Sequence, residues 1–176
     1  PSAMEKCRIM SDADIREGSL PDHVPFPPEQ KFDLVVAFDV LEHIEDDRDS
    51  FATLVEMLDK DAYLFITVPA YAWMMSAHDH AHHHFRRYSR NSLRALADHK
   101  DVEIVRIGYF NTLLFPAIAA MRLIGRGSRK SHSDADMPGR MTNGILKRIF
   151  SLEARLTGRF FFPFGTSLGL LVRKKS

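Results

Sequence analysis

The segment Lys31-Phe-Asp-Leu-Val-Val-Ala-Phe-Asp-Val-Leu-Glu-His-Ile-Glu-Asp-Asp47 constrains the fold of this chain more than any other. Its short apolar run, Leu34 to Phe38, is bounded by Asp33 and Asp39, and such a run suits a parallel strand covered on both faces. Carboxylates and one histidine follow at once, and then a helix. Polar groups just past the C-terminal end of a strand stand where open α/β sheets bind ligands. The alternation continues downstream. An amphipathic helix from Asp47 to Leu58 carries Phe51, Leu54, Val55 and Leu58 on one face, and Ala62 to Val68 is the next strand. Ser89 is placed to cap a helix from Arg90 to about His99. Val102 to Tyr109 reads as a strand, Thr112 to Leu123 as an apolar helix interrupted at Pro116, Asn143 to Leu156 as a helix and Thr166 to Val172 as the closing strand. Upstream, residues 3 to 10 read as a helix end, Ile15-Arg-Glu17 as a short strand and Pro21 to Pro28 as an irregular connection. Strands alternating with helices give an α/β fold class.

Composition bounds the function. With 176 residues, 45% apolar and 27% charged, the chain suits a single domain over residues 1–176. Gly125 to Gly139 has almost no apolar residue, so a mobile loop is expected at about 125–140. A net charge of +1 gives no pull toward nucleic acid or acidic lipid. The single Cys7 excludes an intrachain disulfide and fits a reducing cytoplasm. No apolar stretch reaches the roughly 20 residues of a membrane span; the nearest, Tyr109 to Ile124, carries Asn111 and Arg122.

Three groups of residues could carry chemistry. Asp39, Glu42 and His43 follow the first strand, with Asp39 and His43 spaced to share a face once a helix begins; Glu45, Asp46, Asp47 and Asp49 are acids favoured at a helix start. The segment Ser76-Ala-His-Asp-His-Ala-His-His-His-Phe-Arg-Arg-Tyr88 is rich in histidine. His78-x-His80-x-His82-His83 imitates the His-x-His-x-Asp-His pattern of metal-dependent hydrolases, and imidazole is a common zinc ligand. His82 replaces the acid of that pattern, however, and remote ligands are scarce. Arg86, Arg87 and Tyr88 could grip a carboxylate or phosphate, or the two arginines could pair with Glu42 or other acids and lock the loop.

Phe32-Asp-Leu-Val35 with Asp39-Val-Leu-Glu-His43 resembles the fourth-strand motif of class I S-adenosylmethionine-dependent methyltransferases. Glu17-Gly-Ser-Leu-Pro-Asp-His-Val-Pro-Phe26 is similar to that family's segment beside the adenine. Ala62-Tyr-Leu-Phe-Ile-Thr-Val-Pro69 resembles its fifth strand, with Lys60-Asp61-Ala62 where the family usually has Pro-Gly-Gly. His78-Asp79, His84-Phe-Arg-Arg-Tyr88, Gly108-Tyr-Phe-Asn111 and Pro163-Phe-Gly-Thr-Ser-Leu168 are similar to a bacterial subgroup. The resemblance implies a Rossmann-like, mostly parallel sheet whose last strand is antiparallel. It implies S-adenosylmethionine as cofactor, held by Gly18, Ser19, Leu20, Phe38, Asp39, Val40 and His43. It puts Asp79, His84, Arg86, Arg87, Tyr88 and Asn111 on the side of a small-molecule, lipid or sugar-type acceptor, with His43 and His78 as the side chains to take the acceptor's proton. It implies no metal.

Nothing resembles the family's opening Gly-rich turn or the acid that ends its second strand. Pro1-Ser-Ala-Met-Glu-Lys-Cys-Arg8 resembles the helix that follows that strand, so the chain is expected to start mid-domain without the first two strands. Leu34-Val35-Val36 would then form an open apolar edge, to be covered by upstream residues, a second copy or another chain. Three other functions stay open: a metal-dependent hydrolase built on His78 to His83, a non-catalytic methyltransferase-like binding module, and a structural partner that completes its sheet with another chain.

Overall fold

The computed structural model describes residues 3–125, 140–157 and 162–176. The loop expected at 125–140 lies almost wholly outside the described residues, as do Phe160 and Phe161. A helix, α1 (Ala3–Met10), comes first, and the irregular proline-rich connection follows it. Then β1 (Phe32–Phe38), α2 (Asp47–Glu56), β2 (Leu58–Pro69), the short α3 (Ala77–Ala81), α4 (Arg90–Leu96) and β3 (Val102–Phe110) alternate. The chain ends with α5 (Phe115–Gly125), α6 (Arg140–Thr157) and β4 (Ser167–Lys174). The sheet order is β1-β2-β4-β3. β1 and β2 are parallel, and β4 lies antiparallel to both β2 and β3. Three strands therefore run one way and the last runs against them, as the sequence leads one to expect.

The strands form here because their apolar residues alternate. Val35, Ala37, Leu64, Ile66, Val68, Leu168 and Leu170 are buried on a single face together with Phe51, Leu54 and Val55 of α2 and Leu93 and Leu96 of α4. Ser89 starts α4 with a capping box, accepting from the Ser92 backbone N–H while the Ser92 hydroxyl accepts from the Ser89 N–H. Glu153 of α6 is 3% exposed and accepts from the backbone N–H groups of Thr112 (2.7 Å) and Leu113 (3.1 Å). That pair of bonds ties α6 to the turn ahead of α5. At the β3–β4 junction an alanine Cβ at Gly165 would overlap the Phe110 carbonyl. Only glycine lets the two backbones approach there, and the approach sets where Thr166 and Ser167 stand.

Several expectations change. β1 is covered on one face only: Leu34, Val36 and Phe38 are 57%, 49% and 55% exposed, because among the described residues the helices that build the core lie on the other side. Ile15-Arg-Glu17 forms no strand, since no neighbouring strand pairs with it; Arg16 instead bonds Asp14 and the Pro25 carbonyl. β2 begins at Leu58 rather than Ala62 and cuts α2 short, with a register shift between Phe32 and Leu34. Leu58 stays buried either way. α4 stops at Leu96 rather than His99, and α5 starts at Phe115 rather than Thr112, because Thr112 is engaged by Glu153 and by the Phe164 carbonyl.

Leu64→Ala should lower the unfolding free energy by about 2–5 kcal/mol, whereas Leu34→Ala on the open face should change it by less than about 0.5 kcal/mol. Urea midpoints check both, and equal losses would show that the open face is buried in solution.

Candidate active site

The site begins where β1 stops. Asp39 adopts a left-handed backbone conformation (φ 51°), which aspartate tolerates better than most residues, and the chain turns sharply. The Asp39 N–H donates to the Thr67 carbonyl (3.0 Å), and the Thr67 hydroxyl donates to the Asp39 carboxylate (3.3 Å). A one-turn 3₁₀ helix, Leu41–His43, follows. Leu41 is fully buried, Glu42 is 1% exposed and His43 faces solvent.

The second wall is the segment after β2, which runs out through α3 and returns beside this turn. Phe85 N–H donates to the Glu42 carbonyl (2.7 Å), and Tyr88 N–H to the Pro69 carbonyl (2.9 Å). Asp79 sits at the centre of the segment, fully buried. It accepts from Ser76 N–H (2.8 Å) and Oγ (2.6 Å) and from Arg87 Nε (2.9 Å) and Nη2 (2.7 Å), with His84 Nδ1 at 3.0 Å. Burial alone would push the Asp79 carboxyl up, but the Ser76 and Arg87 donors together hold it down at about 2. Burial and the nearby His43 push the His84 imidazole down, against the pull of Asp79. Glu42 differs from both. Neither of its carboxylate oxygens has a hydrogen-bond partner from another residue, and burial pushes its pKa up to about 7, with its own backbone N–H and Arg87 opposing the rise and Asp39 and Asp79 adding to it.

Asp39, Glu42, His43, Asp79, His84 and Arg87 line one cavity of about 340 Å³, to which Thr166, Ser167 and Arg122 also contribute. Gly18, Ser19, Leu20 and Val40 line a second cavity of about 340 Å³. A Cβ at Gly18 would stand 2.7 Å from the His23 carbonyl oxygen, so glycine is needed for that turn. Phe38 borders neither cavity; its ring packs edge-on against Phe65 on the open face. Apart from Phe38, the expected cofactor residues thus divide between two hollows, Asp39 and His43 lining one and Gly18, Ser19, Leu20 and Val40 the other.

The expected acceptor-side residues divide as well. Asp79, His84 and Arg87 reach the first cavity. Arg86 pairs with Asp47 (2.8 Å) and the Glu45 carbonyl (2.6 Å), so it locks the loop. Tyr88 is 2% exposed and donates its hydroxyl to Asp47 (2.8 Å), within the core. Asn111 stands behind the cavity and donates to Ser167 Oγ (3.1 Å). The side chain of His78 lies outside the described residues. His80, His82 and His83 are exposed, and among the described residues they do not converge into a ligand set. Sequence reasoning passed over Ser76 and weighed Glu42 only as one acid among several. The signal for Glu42 was an acid flanked by an apolar residue and a histidine directly after a buried strand.

Residues 1–107 match the family model described as a methyltransferase domain. The chain belongs to this family. Its fold is that of class I S-adenosylmethionine-dependent methyltransferases, an α/β sheet with the last strand antiparallel. Among solved structures, this methyltransferase domain is similar to the methyltransferase of Haloferax volcanii in complex with the Trm112 methyltransferase activator, at 12% identity, with 98% of this chain and 67% of that chain covered and a TM-score of 0.55. It is also similar to a Bacillus halodurans protein described as a methyltransferase, at 13% identity, 88% and 68% coverage and a TM-score of 0.50. Haemonchus contortus phosphoethanolamine N-methyltransferase 2 in complex with S-adenosyl-L-methionine matches at 15% identity and a TM-score of 0.42, with 87% of this chain covered. This methyltransferase domain spans 35% of the length of that last protein. No curated protein matches its sequence. Among the described residues no helix is long and apolar enough to cross a membrane.

Burial, and next the hydrogen bond to Asp47, push the Tyr88 phenol far above its usual value near 10. A folded-state pKa above the unfolded one leaves stability intact below about pH 10 and erodes it above, by up to roughly 1.4 kcal/mol per pH unit. Tyr88→Phe should flatten that alkaline fall, as followed by urea unfolding between about pH 9 and 11; an unchanged slope would mean that Tyr88 ionises in the folded protein. Asp79→Asn, which strands Arg87 in a buried setting, should cost about 3–5 kcal/mol in the same assay at neutral pH.

Proposed function

We propose that this chain serves S-adenosylmethionine-dependent methyl transfer to a small-molecule, lipid-linked or sugar-type acceptor, in the cytoplasm. One observation carries the reading: within a methyltransferase-family sequence, a cavity opens at the C-terminal end of β1, with Asp39 and His43 on one wall and Asp79, His84 and Arg87 on the other. Such a position is where open α/β sheets bind ligands.

The residues fit the cofactor in kind. Gly18, Ser19, Leu20 and Val40 offer a glycine-dependent hollow for a flat heterocycle, and Asp39 offers a carboxylate in the other cavity. When bound, S-adenosylmethionine supplies an electrophilic methyl group on sulfur. The chain's own residues position and discharge the acceptor. Arg87, fixed by Asp79, presents a cation to an anionic acceptor, while Arg86 and Tyr88 hold the loop in place. An acceptor hydroxyl or amine would have to give up its proton on being methylated. His43 and His78 are the imidazoles proposed to take it.

Calorimetric titration with S-adenosylhomocysteine tests the cofactor site. Micromolar binding is expected; a folded protein that binds none would overturn the reading. His43→Ala should lower kcat by about 100-fold or more while changing S-adenosylhomocysteine affinity by less than roughly threefold, and an unchanged kcat would remove His43 from the reaction.

A further inference from the structure

Glu42 poses a problem that methyl transfer does not answer. Its side chain is buried to 1% exposure with both oxygens unpartnered, whereas buried carboxylates are ordinarily paired, hydrogen-bonded or bound to a metal. Asp79, on the other wall of the same cavity, collects five short contacts from Ser76, Arg87 and His84. The fold supplies donors to one acid and withholds them from its neighbour.

Two imidazoles stand beside Glu42, within a wider ring of Asp39, Asp79 and Arg87. Ligand atoms from Glu42, His43 and His84 all lie within 4.8 Å of one another. The rings of His43 and His84 meet edge to face, with centroids 4.5 Å apart. His84 keeps Nδ1 against Asp79 Oδ1 at 3.0 Å, which leaves Nε2 as the ring nitrogen available to bind. Metal-binding histidines almost always donate their other ring N–H to a carboxylate, carbonyl or water, which fixes the tautomer and orients the ring. Asp79 is that carboxylate, and Ser76 and Arg87 hold it in place.

We propose that Glu42, His43 and His84 bind a divalent transition-metal ion of the zinc type, with Asp79 orienting His84 behind it. Two imidazole nitrogens and one carboxylate oxygen form a zinc donor set that leaves a coordination position open. Bonds of about 2.0–2.2 Å place the ligand atoms of a tetrahedral ion roughly 3.4 Å apart, so the three must draw together by about 1 Å or slightly more. His43 is exposed and has the freedom to move; Glu42 and His84 are held by the wall. All three ligands line the cavity that Asp39 and Arg122 also line, so a molecule in that cavity would have access to the open position. This ligand set is distinct from the His78–His83 run, to which the sequence drew attention and whose His80, His82 and His83 point to solvent. The site would hold its ion whether or not the chain transfers methyl groups. If it does, an acceptor hydroxyl at the open position would lose its proton more readily, and His43 would act there as ligand and not as free base.

The experiment is a titration of the chelator-stripped full chain with Co(II), read by its d–d absorption, followed by displacement with Zn(II). One equivalent of Co(II) with micromolar or tighter affinity is expected, with the intense visible bands of a four- or five-coordinate ion. The triple variant His80→Ala, His82→Ala, His83→Ala should keep this site. Glu42→Gln and His43→Gln should each weaken binding by about 100-fold or more. Zn(II) should raise the Tm of the unaltered chain and leave that of Glu42→Gln unmoved, while circular dichroism shows each variant to be folded. Binding that survives Glu42→Gln but disappears in the triple variant would overturn the proposal in favour of adventitious binding to the histidine run, and so would absence of binding by the folded protein. S-adenosylhomocysteine titration of the same metal-free protein tests methyl transfer separately, so one reading can fail while the other stands.

Discussion

The buried Asp79 carboxylate is the interaction on which the site depends. It joins Ser76 at the start of α3 to His84 and Arg87 at the end of the returning loop, and so closes an irregular excursion between β2 and α4 into a fixed wall. A charge taken out of water so completely persists only when donors surround it. Here they come from an arginine, a serine and a backbone N–H. The same closure puts Phe85 N–H on the Glu42 carbonyl and Arg86 on Asp47. The loop thereby becomes continuous with the turn after β1, and two segments that are remote in sequence act as one surface.

A second constraint comes from the sheet. Its core is one-sided among the described residues, with α2 and α4 packed against the alternating apolar residues of all four strands. The opposite face of β1 carries Leu34, Val36 and Phe38 to solvent. The chemistry-bearing residues, by contrast, gather at the strand ends and on the connections there, where backbone geometry is least regular: Asp39, Tyr71, His83 and Asn111 all have positive φ.

Much of this architecture is legible in the sequence. The bounds of β1 follow directly from Phe32 to Phe38 between charged neighbours, and the Ser89 cap follows from its position ahead of an apolar periodicity. Local rules fail where distant partners intervene. The bulge that lets β2 begin at Leu58 depends on pairing with β1, and the late start of α5 depends on Glu153, some forty residues downstream in α6. Part of the grouping at the candidate site was readable too. Asp39, His43, Asp79, His84 and Arg87 stand out as residue types in a pattern, and the structure gathers them around one cavity. Arg86 and Tyr88 stand out in the same pattern, yet they serve Asp47 and the core. Nothing in the spacing of two adjacent arginines tells which one turns inward.

By itself, the sequence determined the α/β class, the order of the elements and the residue types at the end of β1, because hydrophobic alternation, capping and strand-end polarity are local consequences of side-chain chemistry. Only the tertiary structure decided which acid is satisfied and which is not. Asp79 and Glu42 are both carboxylates beside histidines in the chain, but the donors that distinguish them arrive through folding, from Ser76 and Arg87 to one and from no side chain to the other. Hydrogen bonding and burial are properties of a position in space, and the linear spacing of residues does not encode them.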